Sequence, residues 1–361
     1  MVHGCDAGVR ALRALHELTL LAALLLALGA LRADAQDWSG ASLRGGRQLT
    51  LPDGYRVEVV ARGLRLPQDL AVDPPHAVWV LTRSAPGADR GAGVLVRVPL
   101  DGSRPLDASQ LPAIALPFAS ATVPFEAGSV ARYPGSGDLY VAEARGHHLF
   151  RVTPDGRVTI FARGGNVLGD GRALVFDATG RLLVLDHAGR GVVADTTSDP
   201  LRELLEPGES YQGPVVHWVR VDETLPLPRN IEYTGVLFPS PAVRRGKAVL
   251  PRYSSLAAFA SGDLVASGSN GVIDRLRPDG TIARLAQLSG AGAVVAAGPD
   301  VLYALDYLGG RIARVRASGA VEPFVEGLIR PVALATVGEA VIVAEDTGRL
   351  LLIVPPPGAA P

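Results

Sequence analysis

Residues 139–162 read LYVAEARGHHLFRVTPDGRVTIFA, and this stretch decides the fold. An apolar strand at 139–142 is followed by a second strand at 148–152 and a third at 158–162. Asp155 and Gly156 separate the last two, and Asp-Gly between alternating strands is a strong hairpin signal because a type I′ turn needs positive φ. The stretch therefore predicts consecutive antiparallel strands joined by tight turns.

The same arrangement recurs through the rest of the chain. Short apolar strands that correspond to 139–142 stand at 78–81, 182–185, 264–266, 301–304 and 341–344. Each follows a weaker strand, such as 70–73 or 174–177, and is followed by a small polar turn and a third strand, and often by a fourth. Four antiparallel strands repeated at about forty residues are typical of β-propeller blades, which stack around an axis to bury their apolar faces. We therefore predict an all-β, six-bladed β-propeller.

The two ends of the repeated region complement each other. The last repeat ends at its third strand, 350–354, and a strand without a blade of its own stands at 55–60. Pairing of these two would complete the last blade and close the ring, which removes open sheet edges. The prediction is one propeller domain over 51–355, preceded by a linker at 36–50 and followed by a Pro-rich tail at 356–361. A Pro-rich segment at about 196–250 is either an insertion, which we favour, or a degenerate seventh blade.

The N-terminal segment predicts export. Arg10 and Arg13 precede an apolar run at 18–31, and Ala33-Asp34-Ala35 forms a small-residue exit. This is the pattern of a secretory signal peptide over residues 1–35. An uncleaved anchor is the alternative, but the run is shorter than the roughly 20 residues that span a membrane. We expect a periplasmic or extracellular protein with no stable membrane span after cleavage.

Composition narrows the classes of partner. The chain of 361 residues carries 35 Lys and Arg against 36 Asp and Glu, which gives a formal net charge of -1. Nucleic-acid binding is not expected, because it usually requires an excess of basic residues. A hydrophobic content of 48% provides a large core, and 42 glycines with 28 prolines suit short strands and many turns.

Several phrases resemble the six-bladed propellers of the NHL-repeat and senescence-marker-protein/gluconolactonase group. They are ARGLRLP at 61–67 with LAVD at 70–73, VEGLIRP at 325–331, and DGRALVFDATGRLLVLDH at 170–187. LPDGYRVEVV at 51–60 is similar to the opening of sorbosone-type quinone sugar dehydrogenases. The resemblance extends over most of residues 50–355, and the matching residues mainly build blades.

The lactonase resemblance implies a divalent metal that polarises the carbonyl of a lactone or ester, with hydrolysis as the reaction. Oxygen-rich positions at the channel mouth suit Ca²⁺, Mg²⁺ or Zn²⁺. The candidate ligands are Asp69, Glu126, Asp170 and Asn230. Asp170 and His187 are the candidate catalytic residues, since histidine is a plausible general base. The same carboxylates could instead cap turns or pair with arginines.

Two columns of residues follow from aligning the repeats. The innermost strands place one residue per blade at the channel: Asp69, Ser129, Ala173, Ser255, Ala293 and Ala333. A second column ends the apolar strands, at Thr82, Glu143, Asp186, Gly268, Asp306 and Glu345, where acids normally accept bonds from the next turn. Near the mouth stand the candidate substrate-binding residues Arg172, Arg252 and Arg330.

Three functions remain open at this point. The first is metal-dependent hydrolysis of a sugar lactone or similar ester. The second is a non-catalytic, NHL-type propeller that presents loops to a protein or glycan, favoured by the alanine-rich half of the channel. The third is quinone-dependent sugar oxidation, for which the sequence offers no convincing catalytic histidine or cofactor-clamping arginine.

Overall fold

The computed structural model describes residues 49–83, 93–101, 105–116, 127–143, 148–163, 171–186, 215–221, 227–230, 235–238, 253–259, 261–268, 270–277 and 281–357. All of them belong to one structural unit that begins at Leu49. The predicted signal peptide lies outside the described residues. Apart from a short 3-10 helix at Ala108–Gln110, the regular structure in these ranges is entirely β-strand.

The strands of the first half of the chain alternate short apolar runs with Gly, Pro and Asp turns, as the repeat predicts. In chain order they are β1 (Arg56–Arg62), β2 (Pro67–Asp73), β3 (Ala77–Arg83), β4 (Gly93–Pro99), β5 (Leu106–Asp107), β6 (Ala113–Ala115), β7 (Ala127–Arg132), β8 (Leu139–Glu143), β9 (His148–Val152), β10 (Val158–Arg163), β11 (Gly171–Phe176), β12 (Leu182–Asp186) and β13 (Val215–Val219).

The second half continues the same pattern with shorter connections. Its strands are β14 (Arg229–Asn230), β15 (Gly235–Phe238), β16 (Tyr253–Ala258), β17 (Leu264–Gly268), β18 (Val272–Leu276), β19 (Ile282–Gln287), β20 (Ala291–Ala296), β21 (Val301–Asp306), β22 (Arg311–Arg316), β23 (Val321–Glu326), β24 (Pro331–Val337), β25 (Ala340–Glu345) and β26 (Leu350–Val354).

These strands form six sheets, one per blade, which confirms the predicted six-bladed β-propeller. Blades one to five are β2-β3-β4-β6, β7-β8-β9-β10, β11-β12-β13-β15, β16-β17-β18-β19 and β20-β21-β22-β23. Blade six is β24-β25-β26-β1. The short strands β5 and β14 add to the outer edges of blades six and two in parallel pairing.

The ring closes as the sequence predicts. Strand β1 pairs antiparallel with β26, and Glu58 stands opposite Leu352 in the register. The first long strand of the domain therefore supplies the fourth strand of the last blade, so the first and last long strands of the ring lie in one sheet.

The region predicted as an insertion contributes more to the ring than expected. Strands β13 and β15 lie within 196–250, yet they are the third and fourth strands of blade three. Long connections separate them in the sequence, which conceals the repeat there. No seventh sheet occurs in the described ranges.

The core consists of six apolar clusters, each of which lies between two neighbouring blades. Alternation within single strands explains this arrangement, because successive side chains point to opposite faces of a sheet. In β12, for example, Leu182 and Val184 pack towards blade two, whereas Leu183 and Leu185 pack towards blade four. Every blade thus buries both faces, and a blade alone would leave both exposed.

Candidate functional site

The innermost strands of the six blades surround a central channel. They are β2, β7, β11, β16, β20 and β24, each at one end of its sheet and each in contact with the next around the ring. An end strand presents backbone N–H and C=O groups that its own sheet does not use. We name the face at which these strands begin the upper face and the face at which they end the lower face.

The channel holds an open cavity of about 360 Å³ between the innermost strands. The cavity extends from the level of Asp69 and Ser129 towards the lower face at Arg132 and Phe176. Five of the six residues in the predicted channel column line it, namely Asp69, Ser129, Ala173, Ser255 and Ala293. The sixth, Ala333, is fully buried in the contact between blades six and one.

Asp69 connects blades one and two. One carboxylate oxygen, Oδ2, accepts hydrogen bonds from the Ser129 hydroxyl and from the Val130 backbone N–H at 2.9 Å. The other oxygen, Oδ1, accepts from the N–H of Leu70 at 2.8 Å. Burial raises the pKa of Asp69 above its ordinary value, and the bonds from Ser129, Val130 and Leu70 only partly oppose this.

Hydroxyl groups make the equivalent connection elsewhere in the ring. The Leu174 N–H of blade three donates to the Ser129 hydroxyl at 3.0 Å, and the Val294 N–H of blade five donates to the Ser255 hydroxyl at 3.1 Å. Each acceptor belongs to the preceding blade. The three remaining blades place alanine at this position, so the polar part of the column lies in blades one, two and four.

Most of the predicted metal site lies outside the described part of the chain. Glu126 and Asp170 lie outside the described residues, and Asn230 is described by its backbone alone. Both oxygens of Asp69 already accept protein hydrogen bonds. Within the ranges given above, no three His, Cys, Asp or Glu side chains come close enough to hold a metal ion. The described residues alone therefore do not form the predicted metal site, and the site stays a prediction.

The candidate substrate-binding arginines have different settings. Arg330 has a positive φ of 47°, and its guanidinium pairs with Asp346 on the upper face. Arg172 is half-buried at the irregular step of the pairing between β11 and β12, where the register shifts between Gly171 and Ala173. Arg252 and the candidate catalytic residue His187 lie outside the described residues.

The second column is largely buried, and two of its acids, Asp306 and Glu345, have the structural role that the repeat predicts. Five of its members are polar and buried, namely Thr82, Glu143, Asp186, Asp306 and Glu345. Glu345, for example, accepts the Ile329 N–H at 2.8 Å and pairs with Arg349. Glu143 faces the imidazole Nδ1 of His148 at 3.3 Å. Glu345, and Asp306 in the same way, therefore bind the turn before the innermost strand of their own blade.

One charged group of the channel was not predicted. At the lower end, Asp73 pairs with Arg132 at 3.0 Å and with Arg97 at 3.4 Å. Arg132 lines the cavity, and its side chain keeps 23% of its surface exposed. Asp73 appears in the sequence as the end of the repeated LAVD phrase, which is a signal for a blade rather than for a site. Its two partners come from β4 and β7, and the sequence alone does not bring them together.

The closed ring and its axial channel define the class: the chain is a six-bladed β-propeller with an open central cavity. Among the described residues, no helix is long and apolar enough to cross a membrane. No protein-family model matches the sequence, and no curated protein matches it.

Solved structures share the fold at low sequence identity. One is a catalytically inactive variant of virginiamycin B lyase from Staphylococcus aureus, solved with quinupristin. Its sequence is 12% identical to this chain and its TM-score is 0.52, and the match covers 83% of this chain and 99% of that chain. A protein assigned to the gluconolactonases is 15% identical with a TM-score of 0.52, over 84% and 93% of the two chains. A protein of unknown function from Bacteroides thetaiotaomicron is 12% identical with a TM-score of 0.53, over 85% and 76%. These likenesses establish the propeller fold.

Proposed function

We propose that the protein is an exported propeller that binds a small organic molecule, of the size of a sugar or a lactone, in its central channel. The observation that carries the proposal is the open axial cavity of about 360 Å³ with a polar corner at Asp69 and Ser129. Cavities of roughly 300–1,000 Å³ are typical of small-molecule sites. Export rests on the N-terminal sequence alone.

The lining suits a ligand that carries hydroxyl groups. End strands leave backbone N–H and C=O groups that can bond to such a ligand, apart from the N–H groups that already donate to Asp69, Ser129 and Ser255, and alanines leave room for the carbon skeleton. The solved lyase of this fold, with quinupristin, and the protein assigned to the gluconolactonases support a small molecule as the partner.

A channel-filling substitution tests this function. Ala293 lines the cavity and is half-buried, so Ala293→Phe should obstruct the channel. Titration calorimetry with sorbitol, glucose and glucono-1,5-lactone should give one-site binding of at least one of them to the unaltered protein. The substitution should weaken that binding at least about tenfold, since it removes the space for the ligand.

Ala283→Phe is the matched control, because Ala283 is half-buried on the outermost strand β19 of blade four. It should leave binding unchanged. The proposed function is wrong if neither these three compounds nor gluconate binds, or if a folded Ala293→Phe protein binds as well as the original.

Hydrolysis of a lactone is the second candidate, and chain connectivity favours it. Gly171 and Asp186 face each other at the upper end of β11 and β12. The chain continues from them directly to Asp170 and His187, so the two candidate catalytic residues are sequence neighbours of one paired position. Loss of glucono-1,5-lactone hydrolysis in both Asp170→Asn and His187→Gln, with activity retained in His76→Gln, would establish this reaction. A protein without lactonase activity would exclude it for this substrate.

A metal analysis addresses the implied cofactor separately. A divalent ion bound in a one-to-one ratio, and lost in Asp170→Ala, would place the ligands in the part of the chain outside the described residues. Purified protein without such an ion would leave channel binding as the function.

A further inference from the structure

One side-chain cluster at the lower end of the channel carries more positive than negative charge. Arg132 and Arg97 both pair with one carboxylate, that of Asp73. Among the described residues, no carboxylate other than that of Asp73 contacts the guanidinium of Arg97 or of Arg132. Two cations and one anion leave a net charge of +1 beside the cavity.

We propose that this group binds the negative charge of the ligand, so that the channel takes a small organic anion such as a sugar acid. The inference rests on the proposed function and adds the chemical class of the ligand. Arg132 is the residue that contacts the ligand, because it lines the cavity. Arg97 is a positioning residue that acts through Asp73.

The geometry leaves Arg132 able to bind a second anion. A guanidinium has five N–H donors in a planar fork that matches a carboxylate, and the contact with Asp73 involves Nη2. Gly137 lies close to the Arg132 guanidinium, since a Cβ added at Gly137 would stand 3.0 Å from Nη2 of Arg132. The side chain therefore fits closely on one side while part of its surface faces the cavity.

The two polar parts of the channel suit the two ends of one ligand. Arg132 follows Ser129 by three residues on β7, which separates them by about 10 Å along the strand. An acidic group at Arg132 would thus leave the hydroxyl groups of a sugar acid near Asp69 and Ser129. The intervening wall consists of backbone and small apolar side chains, which impose little steric restriction.

A structural role alone would give a different pattern of mutant effects. If the three residues only tied blades one and two together, then every substitution among them would weaken the site. If their charge binds the ligand, Asp73→Asn should strengthen anion binding, because it keeps the shape of the side chain and raises the local charge from +1 to +2. Arg97→Gln should weaken binding, and Arg132→Gln should weaken it most.

The test compares gluconate with sorbitol, which has a CH2OH group in place of the carboxylate. Calorimetry on the full chain should show gluconate binding at least about tenfold more tightly than sorbitol, as expected for a charge-assisted hydrogen bond. Arg132→Gln should remove this preference while sorbitol binding stays unchanged. Arg316→Gln is the control, since Arg316 forms an exposed pair with Glu322 on the outer part of blade five.

The outcomes separate this inference from the proposed function. Equal binding of gluconate and sorbitol, or no binding of gluconate, overturns the anion inference. Sorbitol binding that Ala293→Phe abolishes would still support the channel as the ligand site. Weaker gluconate binding in Asp73→Asn would assign the three residues a structural role and overturn the inference as well. Preference for gluconate that depends on Arg132 and rises in Asp73→Asn supports it.

Discussion

The buried carboxylate of Asp306 offers a sharp test of how the turns beside the channel are held. It ends β21 with no exposed surface. Oδ1 accepts the N–H groups of Gly290 and Gly309, both at 3.0 Å. Oδ2 accepts Nε of Arg311 at 3.0 Å, and the Ser289 hydroxyl lies 2.6 Å from both oxygens.

Asp306→Asn preserves size but replaces one acceptor oxygen with an NH2 group. If the NH2 group takes the place of Oδ1, it faces two backbone N–H groups; if it takes the place of Oδ2, it faces the Arg311 guanidinium. Either orientation leaves at least one donor of Asp306 without its acceptor, which costs about 1–3 kcal/mol. For a domain of roughly 300 residues, this corresponds to a Tm lower by about 2–5 °C.

Thermal unfolding followed by circular dichroism measures the effect. Asp300→Asn is the control in the same blade, because Asp300 lies exposed in the turn before β21, and its Tm should change by less than about 1 °C. A Tm for Asp306→Asn within that range would refute the assignment of this acid as the acceptor that holds the turn.

Three further predictions concern ring closure, blade contact and pH. The double variant Glu58→Cys, Leu352→Cys should form a disulfide between β1 and β26 without changing the fold, since the two residues stand opposite each other in the register. Thiols that stay reduced after oxidation would argue against closure of the ring by β1. Gly128→Ala should lower stability by about 1–3 kcal/mol, because its Cβ would lie 2.1 Å from the Gly171 carbonyl oxygen, whereas Gly298→Ala meets no atom within 4 Å and should be neutral in urea unfolding. Burial raises the pKa of Asp177, but hydrogen bonds from Thr179 and Arg181 outweigh burial and lower the pKa below its ordinary value of 3.8. The ionised carboxylate therefore stabilises the fold above pH 3.8, and this contribution is lost as the pH falls through the pKa of the folded state. Urea unfolding from pH 6 to 2 should therefore show a steeper loss below pH 4 in the original protein than in Asp177→Asn, and equal slopes would contradict this.

The sequence predicts the ring well because a repeat leaves its pattern in every blade. The position of Asp69 relative to the apolar strand that follows fixes its place in the column, and the structure puts it at the channel. The sequence also predicts closure of the ring, since the strand at 55–60 has no blade of its own and the last repeat ends at its third strand, 350–354. Strands β13 and β15 escaped recognition because long connections separate them from the rest of blade three.

The sequence does not predict the charged cluster at the lower end of the channel in the same way. Asp73, Arg97 and Arg132 come from β2, β4 and β7, and each looks like an ordinary strand residue in the sequence. Their meeting depends on how blade one stands against blade two, and a spacing along the chain does not reveal this. The upper-face candidates Glu126, Asp170, Arg252 and His187 stay predictions.

The most direct test of the central claim, that the channel is the ligand site, is a crystal structure of the protein grown with gluconate. We expect ligand density inside the channel, with the carboxylate at the Arg132 guanidinium and hydroxyl groups towards Asp69 and Ser129. Density only outside the channel, or an axial cavity that holds water alone at saturating gluconate, would contradict it.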